Sequence, residues 1–421
     1  MNNTTTIDNI INDTRKKFGL SNYHLYRTHF FKKSNVYNEV RYTYSMEWFP
    51  NDVSQIADED TNPTGTACIE YDLHNHSYES VIFVGGVSYA EGIIYKNNLK
   101  DVTHWIEVET GLRNEQDFHL QKIDEQTFYF QGSINGIPFS PSSTIEIRVD
   151  QNDKLTLFSI YGDFPNKDLV IEDNFTLTID AVEQIAKTQL KLLEFPTDED
   201  KQLLPIYGVE EIYIANKESK TLDFQLDERS RLLIDKTLNW ETPLDKPFMR
   251  KQLEFGSEVT MEQAFSKEFD IDSHPITESI QAQCIIVVRD FLRQVYPSES
   301  GKWTLKSLHR NNGYIDAVLK LQVQNDYKIF QRKIIVMING ATLDAVNYID
   351  NESFLEIYQD FTAIEPTVEH HIAYEELKPF ITLTPVYVYD LHQEKYILCG
   401  KLDCEYGVHA ATKEIIALRD I

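Results

Sequence analysis

The sequence predicts an α+β fold made of tandem units, each a helix packed on an antiparallel β-sheet. Three observations predict it. Short aromatic and β-branched runs alternate with polar residues, as over Val40–Trp48. Turn dipeptides separate such runs, as at Asn135-Gly136 and Asn339-Gly340. Amphipathic helical stretches stand between groups of these strands, the clearest over residues 276–295.

Residues 7–19 read as a helix, with Ile7, Ile10, Ile11 and Phe18 near one face, Asp8 as cap and Gly19 as stop. Strands follow at 23–31 and 40–48, then an acidic polar loop between Pro50 and Pro63. Residues 67–72 and 79–84 form a hairpin closed by Gly85-Gly86. A second helix spans 101–112, ahead of strands at 118–123 and 127–131. A hairpin of 144–149 and 154–160 turns at Asp150–Asp153. Thr178 caps a helix expected to run from Ile179 to Leu192. Strands are predicted at 203–209, 211–214, 221–226 and 231–234. Residues 236–275 are irregular, with Pro243, Pro247 and one short helix near Met261–Phe265. The helix 276–295 ends at Pro297, and strands follow at 303–308 and 314–323. A hairpin of 333–338 and 343–348 precedes the short helix 369–377, which Pro379 stops. The chain closes with strands over 383–390, 396–406 and 414–417.

This order divides into residues 1–98, 99–236, a connector over 237–270, and 271–421, the last repeating the second. The hairpin Thr144–Phe158 parallels Lys333–Val346, and Leu204–Val209 parallels Thr384–Tyr389, with a helix between the two blocks in each copy. A unit of one helix on one sheet buries little alone, so neighbouring copies are expected to pack against one another or to continue one another's sheets.

Composition bounds the function. The chain has 421 residues, 42% hydrophobic and 25% charged, as in ordinary globular proteins. Its net charge of -27 opposes binding to nucleic acid phosphates or anionic membrane surfaces. No apolar run reaches about 18 residues, so no membrane insertion is expected. The N-terminus shows no basic segment followed by an apolar one, so no signal peptide is expected. Four cysteines are too few for a disulfide framework. Together these favour the cytoplasm.

Tyr44–Trp48 ahead of a hairpin, Asn135-Gly-Ile-Pro138 ahead of a long hairpin and helix, and the repeated helix-plus-hairpin order resemble the YcdB/YcdC-type repeat proteins of Gram-positive bacteria, with PepSY-like modules. The resemblance covers most of the chain from about residue 7. Leu73-His-Asn-His76 stands where the fuller pattern carries an Asp-x-x-Thr-Gly turn. The resemblance implies no established catalysis; it implies a binding or inhibitory protein acting on a peptidase or cell-wall enzyme.

The residues themselves offer few candidates for chemistry. His74 and His76, near Glu70, Asp72 and Glu79, provide two metal ligands without a recognisable third, and a polar hairpin tip explains them equally well. Cys399 and Cys404 are five apart, so on a strand they face opposite sides and read as structural; a catalytic pairing with His392 or His409 lacks an activating helix N-terminus. Glu369, His370, His371, Glu375 and Glu376 do not make the H-E-x-x-H pattern and read as a solvated helix face. Asp198–Asp200 reads as an exposed loop. The aromatic strand residues Tyr42, Tyr44, Trp48, Tyr207, Tyr213, Tyr387 and Tyr389 offer either a stacking face or core. No phosphate-binding or nucleophile-elbow motif occurs.

The reading is a non-catalytic protein-binding or regulatory protein with no catalytic residue, no metal site and no cofactor. Its partner would be a protein or peptide, engaged through sheet edges or an inter-unit groove. The alternative is a hydrolase whose site assembles between units.

Overall fold

A computed structural model describes residues 3–34, 39–52, 61–91, 98–197, 200–217, 220–222, 231–254, 256, 258–266, 271–322, 331–390 and 393–421. The predicted strand beyond Leu222, the middle of the loop after Pro50, Asp198, Glu199, Val323 and His392 lie outside the described residues. The chain forms two units. One is Met1–Leu169 with Gly256–Ser273, and the other is Val170–Phe255 with His274–Ile421.

The first unit is built on one antiparallel sheet. Its strands are β1 (Tyr23–Ser34), β2 (Val40–Pro50), β3 (Ala67–Asp72), β4 (Ser77–Phe83), β5 (Phe118–Asp124), β6 (Thr127–Ile134), β7 (Ile137–Ser140), β8 (Thr144–Val149) and β9 (Leu155–Tyr161). The order across the sheet is β7-β6-β8-β9-β4-β3-β2-β1, and β5 also pairs with β6. A two-residue strand, Glu258–Val259, pairs with β1. Alternation sorts the side chains. Tyr44, Met46 and Trp48 are buried, as are Ile145, Ile147 and Val149. The other face is polar, as where Lys33 pairs with Glu70 (2.8 Å) and Glu79 (3.2 Å).

Two helices share this core. Asn3–Lys17 buries Ile7, Ile10 and Thr14, and its last turn carries Arg15, Lys16 and Lys17, the favourable sign for the helix dipole. Leu99–Thr110 starts at Asn98, whose side chain accepts from the Asp101 amide, and ends at Gly111 in the left-handed region. It buries Val102 and Ile106 in the same cluster as Ile7 and Ile10.

The second unit holds three sheets. The first is β10 (Leu190–Thr197), β11 (Gln202–Val209), β23 (Tyr406–His409) and β24 (Ile415–Ala417) in that order, with β20 (Thr362–Ala363) parallel to β11. The second contains β13 (Thr221–Leu222), β12 (Ile212–Ala215), β22 (Lys395–Asp403) and β21 (Thr382–Asp390). The third is β14 (Arg231–Leu238), β16 (Trp303–Asn311), β17 (Tyr314–Leu321), β18 (Lys333–Asn339) and β19 (Ala345–Asp350). On this last sheet lies the helix Glu278–Val295, which Thr277 caps and which buries Cys284, Val288, Phe291 and Leu292. The helix His370–Leu377 instead buries Ala373, Tyr374 and Leu377 against the first sheet.

Tandem helix-on-sheet units are therefore not the architecture. The chain is sheet-dominated, with 43% strand against 25% helix. The sequence reading errs in how strands associate. The hairpins at β3–β4 and β8–β9 are present, but β4 pairs with β9 and merges them into one sheet. Among the described residues between 170 and 230 no long helix separates strand groups. The helix expected over 179–192 is only Glu183–Gln189, and Leu190 already has extended dihedrals (φ −66°, ψ 118°). Pairing with β11 overrides local helical periodicity there.

Candidate functional site

A strand that sequence reasoning missed, β10, supplies the candidate site. Among the described residues it ends its sheet path, with β11 on one side only. Its register fixes which backbone groups face outward. The Gln189 carbonyl accepts from the Glu210 amide (2.9 Å), so residue 189 faces β11. Backbone direction alternates along a strand. Lys191, Leu193, Phe195 and Thr197 therefore bond to β11, and Leu192, Glu194 and Pro196 turn to the open edge.

β11 gives the same answer from its far side. The Leu203 carbonyl accepts from Ile364 (3.2 Å) and the Pro205 carbonyl from Ala410 (2.7 Å). Odd-numbered residues of β11 thus face away from β10. Both prolines fit this register, since Pro196 and Pro205 sit where no N–H is needed between β10 and β11. The Leu190 carbonyl is taken by His370 Nε2 at 3.3 Å. The N–H and C=O groups of Leu192 and Glu194 bond to no described residue.

Side chains on β10 alternate as well. Leu190 is buried, Leu192 packs against the same cluster, and Glu194 follows on that face, opposite Pro205. Glu194 is only 8% exposed and makes no hydrogen bond or ion pair to any described residue. Lys191 lies on the other face and is exposed. The Glu194 stem is buried, but its carboxylate oxygens are not cut off from solvent, so in the free chain water alone solvates the charge. The site is thus an open ladder about three residues long with an unneutralised charge beside it.

The other candidates fall elsewhere. His74 and His76 stand in a turn that Asp72 builds, accepting from the amides of His74 (2.6 Å) and Asn75 (3.0 Å). Among the described residues no three His, Cys, Asp or Glu side chains converge as metal ligands. Cys399 and Cys404 are both buried, in different clusters, and burial pushes the Cys399 thiol up to about 12 and the Cys404 thiol up as well. Thiols held protonated in this way are poor nucleophiles. The His409 ring accepts at Nδ1 from the amides of Ala411 (3.1 Å) and Thr412 (3.4 Å), which makes it a turn-forming group. His371 pairs with Glu369 at 3.2 Å on an exposed helix start. Tyr44, Trp48, Tyr207, Tyr213, Tyr387 and Tyr389 are buried and form core, not a stacking face.

A pocket in the first unit, lined by Phe18, Phe83, Ser88, Ala90, Lys154 and Leu155, measures about 10 Å³. That is room for about one water molecule, far below a substrate site. Among the described residues no helix is long and apolar enough to cross a membrane.

The signal for β10 was present in Leu190-Lys-Leu-Leu-Glu-Phe-Pro196, a short apolar run ended by proline, but a continuing helical pattern masked it. No protein-family model matches the chain, and neither a curated protein nor a solved structure is found similar to it.

Proposed function

We propose that the chain is a non-catalytic protein-binding protein that takes up an extended segment of another protein at the β10 edge. The observation that carries this reading is the outward-facing backbone of Leu192 and Glu194, which a partner strand satisfies by β-augmentation. Two other edges of the second unit are less suited. β14 is bulged between Leu233 and Lys236. β19 is occupied by the chain itself, since the Lys251 amide donates to the Val346 carbonyl (2.8 Å). A cytoplasmic setting belongs to the same reading and is supported by four cysteines that are all free thiols.

The test compares two baits in lysate of the source organism, wild type and Leu192→Pro, which removes an outward N–H but no bond to β11. A stoichiometric partner recovered with wild type and lost with the variant supports the reading. A partner retained by the variant, or none with wild type, overturns it.

A further inference from the structure

We infer that the segment docking on β10 carries a lysine or arginine that pairs with Glu194. The inference rests on the edge-binding reading and adds the partner's chemistry to it. Glu194 is a carboxylate 8% exposed with no donor among the described residues. A strand added beyond β10 places its own side chains directly opposite those of β10, about 5 Å away and on the same face. A cationic side chain opposite Glu194 reaches the carboxylate there, where exclusion of water strengthens the pair.

The flanking positions narrow the segment further. Leu192 and Pro196 lie two residues either side of Glu194 on the same face. The docking segment should therefore be apolar two residues from its base, to cover these side chains. Net charge points the same way, because a chain of -27 attracts a basic segment and repels an acidic one.

A second copy of the chain docking through its own β10 does not meet this requirement. Strands paired in one sheet place same-face residues opposite each other. The residues of β10 that share a face with Glu194 are Leu190, Leu192 and Pro196, none of them basic, and Lys191 is on the other face. Pairing of two β10 strands sets Glu194 against leucine, proline or its own copy.

The experiment selects from a displayed library of random octapeptides on the full chain, and measures the enriched peptides against wild type, Glu194→Gln and Leu192→Pro. The expected peptides share one lysine or arginine with an apolar residue two positions away. They bind Glu194→Gln about tenfold or more weakly and lose binding to Leu192→Pro. Peptides that depend on Leu192 but share no base, or that bind Glu194→Gln equally, overturn the inference and leave edge binding standing. No enriched peptide, or peptides indifferent to Leu192→Pro, overturns both; an inward-pointing charge then serves only to blunt an edge. Backbone N-methylation of an enriched peptide at alternate residues repeats the edge test with the protein unaltered. Binding lost in one methylation phase and kept in the other is the expected result, and binding indifferent to both phases overturns edge docking.

Discussion

Two carboxylates on edge strands of the second unit, Asp350 and Glu194, differ in what surrounds them. Asp350 ends β19 and accepts from Arg332 Nη2 (3.0 Å), from the Tyr296 hydroxyl (2.5 Å) and from the Glu352 amide (3.0 Å). Arg332 in turn reaches Glu352 (2.8 Å) and lies 5.4 Å from the ring centres of both Tyr296 and Trp303. The strand edge beside it is closed by the chain itself, because Asn347 Nδ2 donates to the Lys251 carbonyl (2.9 Å) next to the Lys251–Val346 bond. Among the described residues Glu194 has neither donors nor a covered edge. A buried carboxylate fastens a structure where the chain supplies its donors. A carboxylate beside an open edge with no donor from the chain leaves its charge to water or to a partner.

The largest expected effect is at the fastened site. Asp350→Asn should destabilise the chain by about 3 kcal/mol at neutral pH, read from urea unfolding, because it strips Arg332 of its most buried partner. The effect should also depend on pH. Burial pushes the Asp350 carboxyl up, but hydrogen bonds from Arg332, Tyr296 and the Glu352 amide outweigh burial and hold it below the usual carboxylate range. A depressed folded value means that the proton binds more weakly in the folded state. The contribution is therefore complete above the unfolded value, near about 3.9, and is lost as pH falls through it toward the folded value. The stability gap between wild type and Asp350→Asn should shrink as pH is lowered from about 6 to 3. A gap independent of pH would remove the charged pair from the account.

The next effect reads the two faces of β10 directly. Leu193 and Phe195 lie opposite Ile206 and Leu204 in the pairs that bond to β11, and Leu192 and Glu194 lie opposite Tyr207 and Pro205 with their amides turned outward. Amide hydrogen exchange followed by NMR should show Leu193 and Phe195 protected by about 2 kcal/mol more than Leu192 and Glu194, roughly a thirtyfold difference in rate. Equal protection along the strand would mean that β10 has a second neighbour and that its edge is closed.

Much of the local structure was legible in the sequence, and the association of strands was not. Alternation over Val40–Trp48 gave a strand whose Tyr44, Met46 and Trp48 are buried, and the 276–295 periodicity gave a helix that buries Cys284, Val288 and Phe291. These signals are carried by residues a few positions apart. The pairing of β4 with β9 joins Ile82 to Leu157, and that of β11 with β23 joins Tyr207 to Val408; no local pattern specifies either. The edge at β10 was hidden for the same reason. Ala186 and Leu190 continue a helical stripe and both are buried, but the chain changes from helix to strand between them. Glu194 on its own reads as one acidic residue among 67, and its burial follows only from the register with Pro205.

The smallest effect has the opposite sign to the first. Glu194→Gln replaces an unpaired charge, solvated only by water, by a neutral amide of nearly the same shape, and among the described residues it has no partner to lose. The substitution should stabilise the isolated protein slightly, by about 0.5 kcal/mol or less in urea unfolding, because it removes one negative charge from a chain of net charge -27. It should cost that stability back, and more, in any complex where a basic side chain meets residue 194. One substitution that strengthens the free fold and weakens the bound state separates a carboxylate kept for a partner from one kept for the fold, and Asp350→Asn, destabilising in the free chain alone, is the control that shows the difference. If Glu194→Gln instead destabilises the free chain, the carboxylate has a donor within the fold, and β10 and β19 are fastened by the same means.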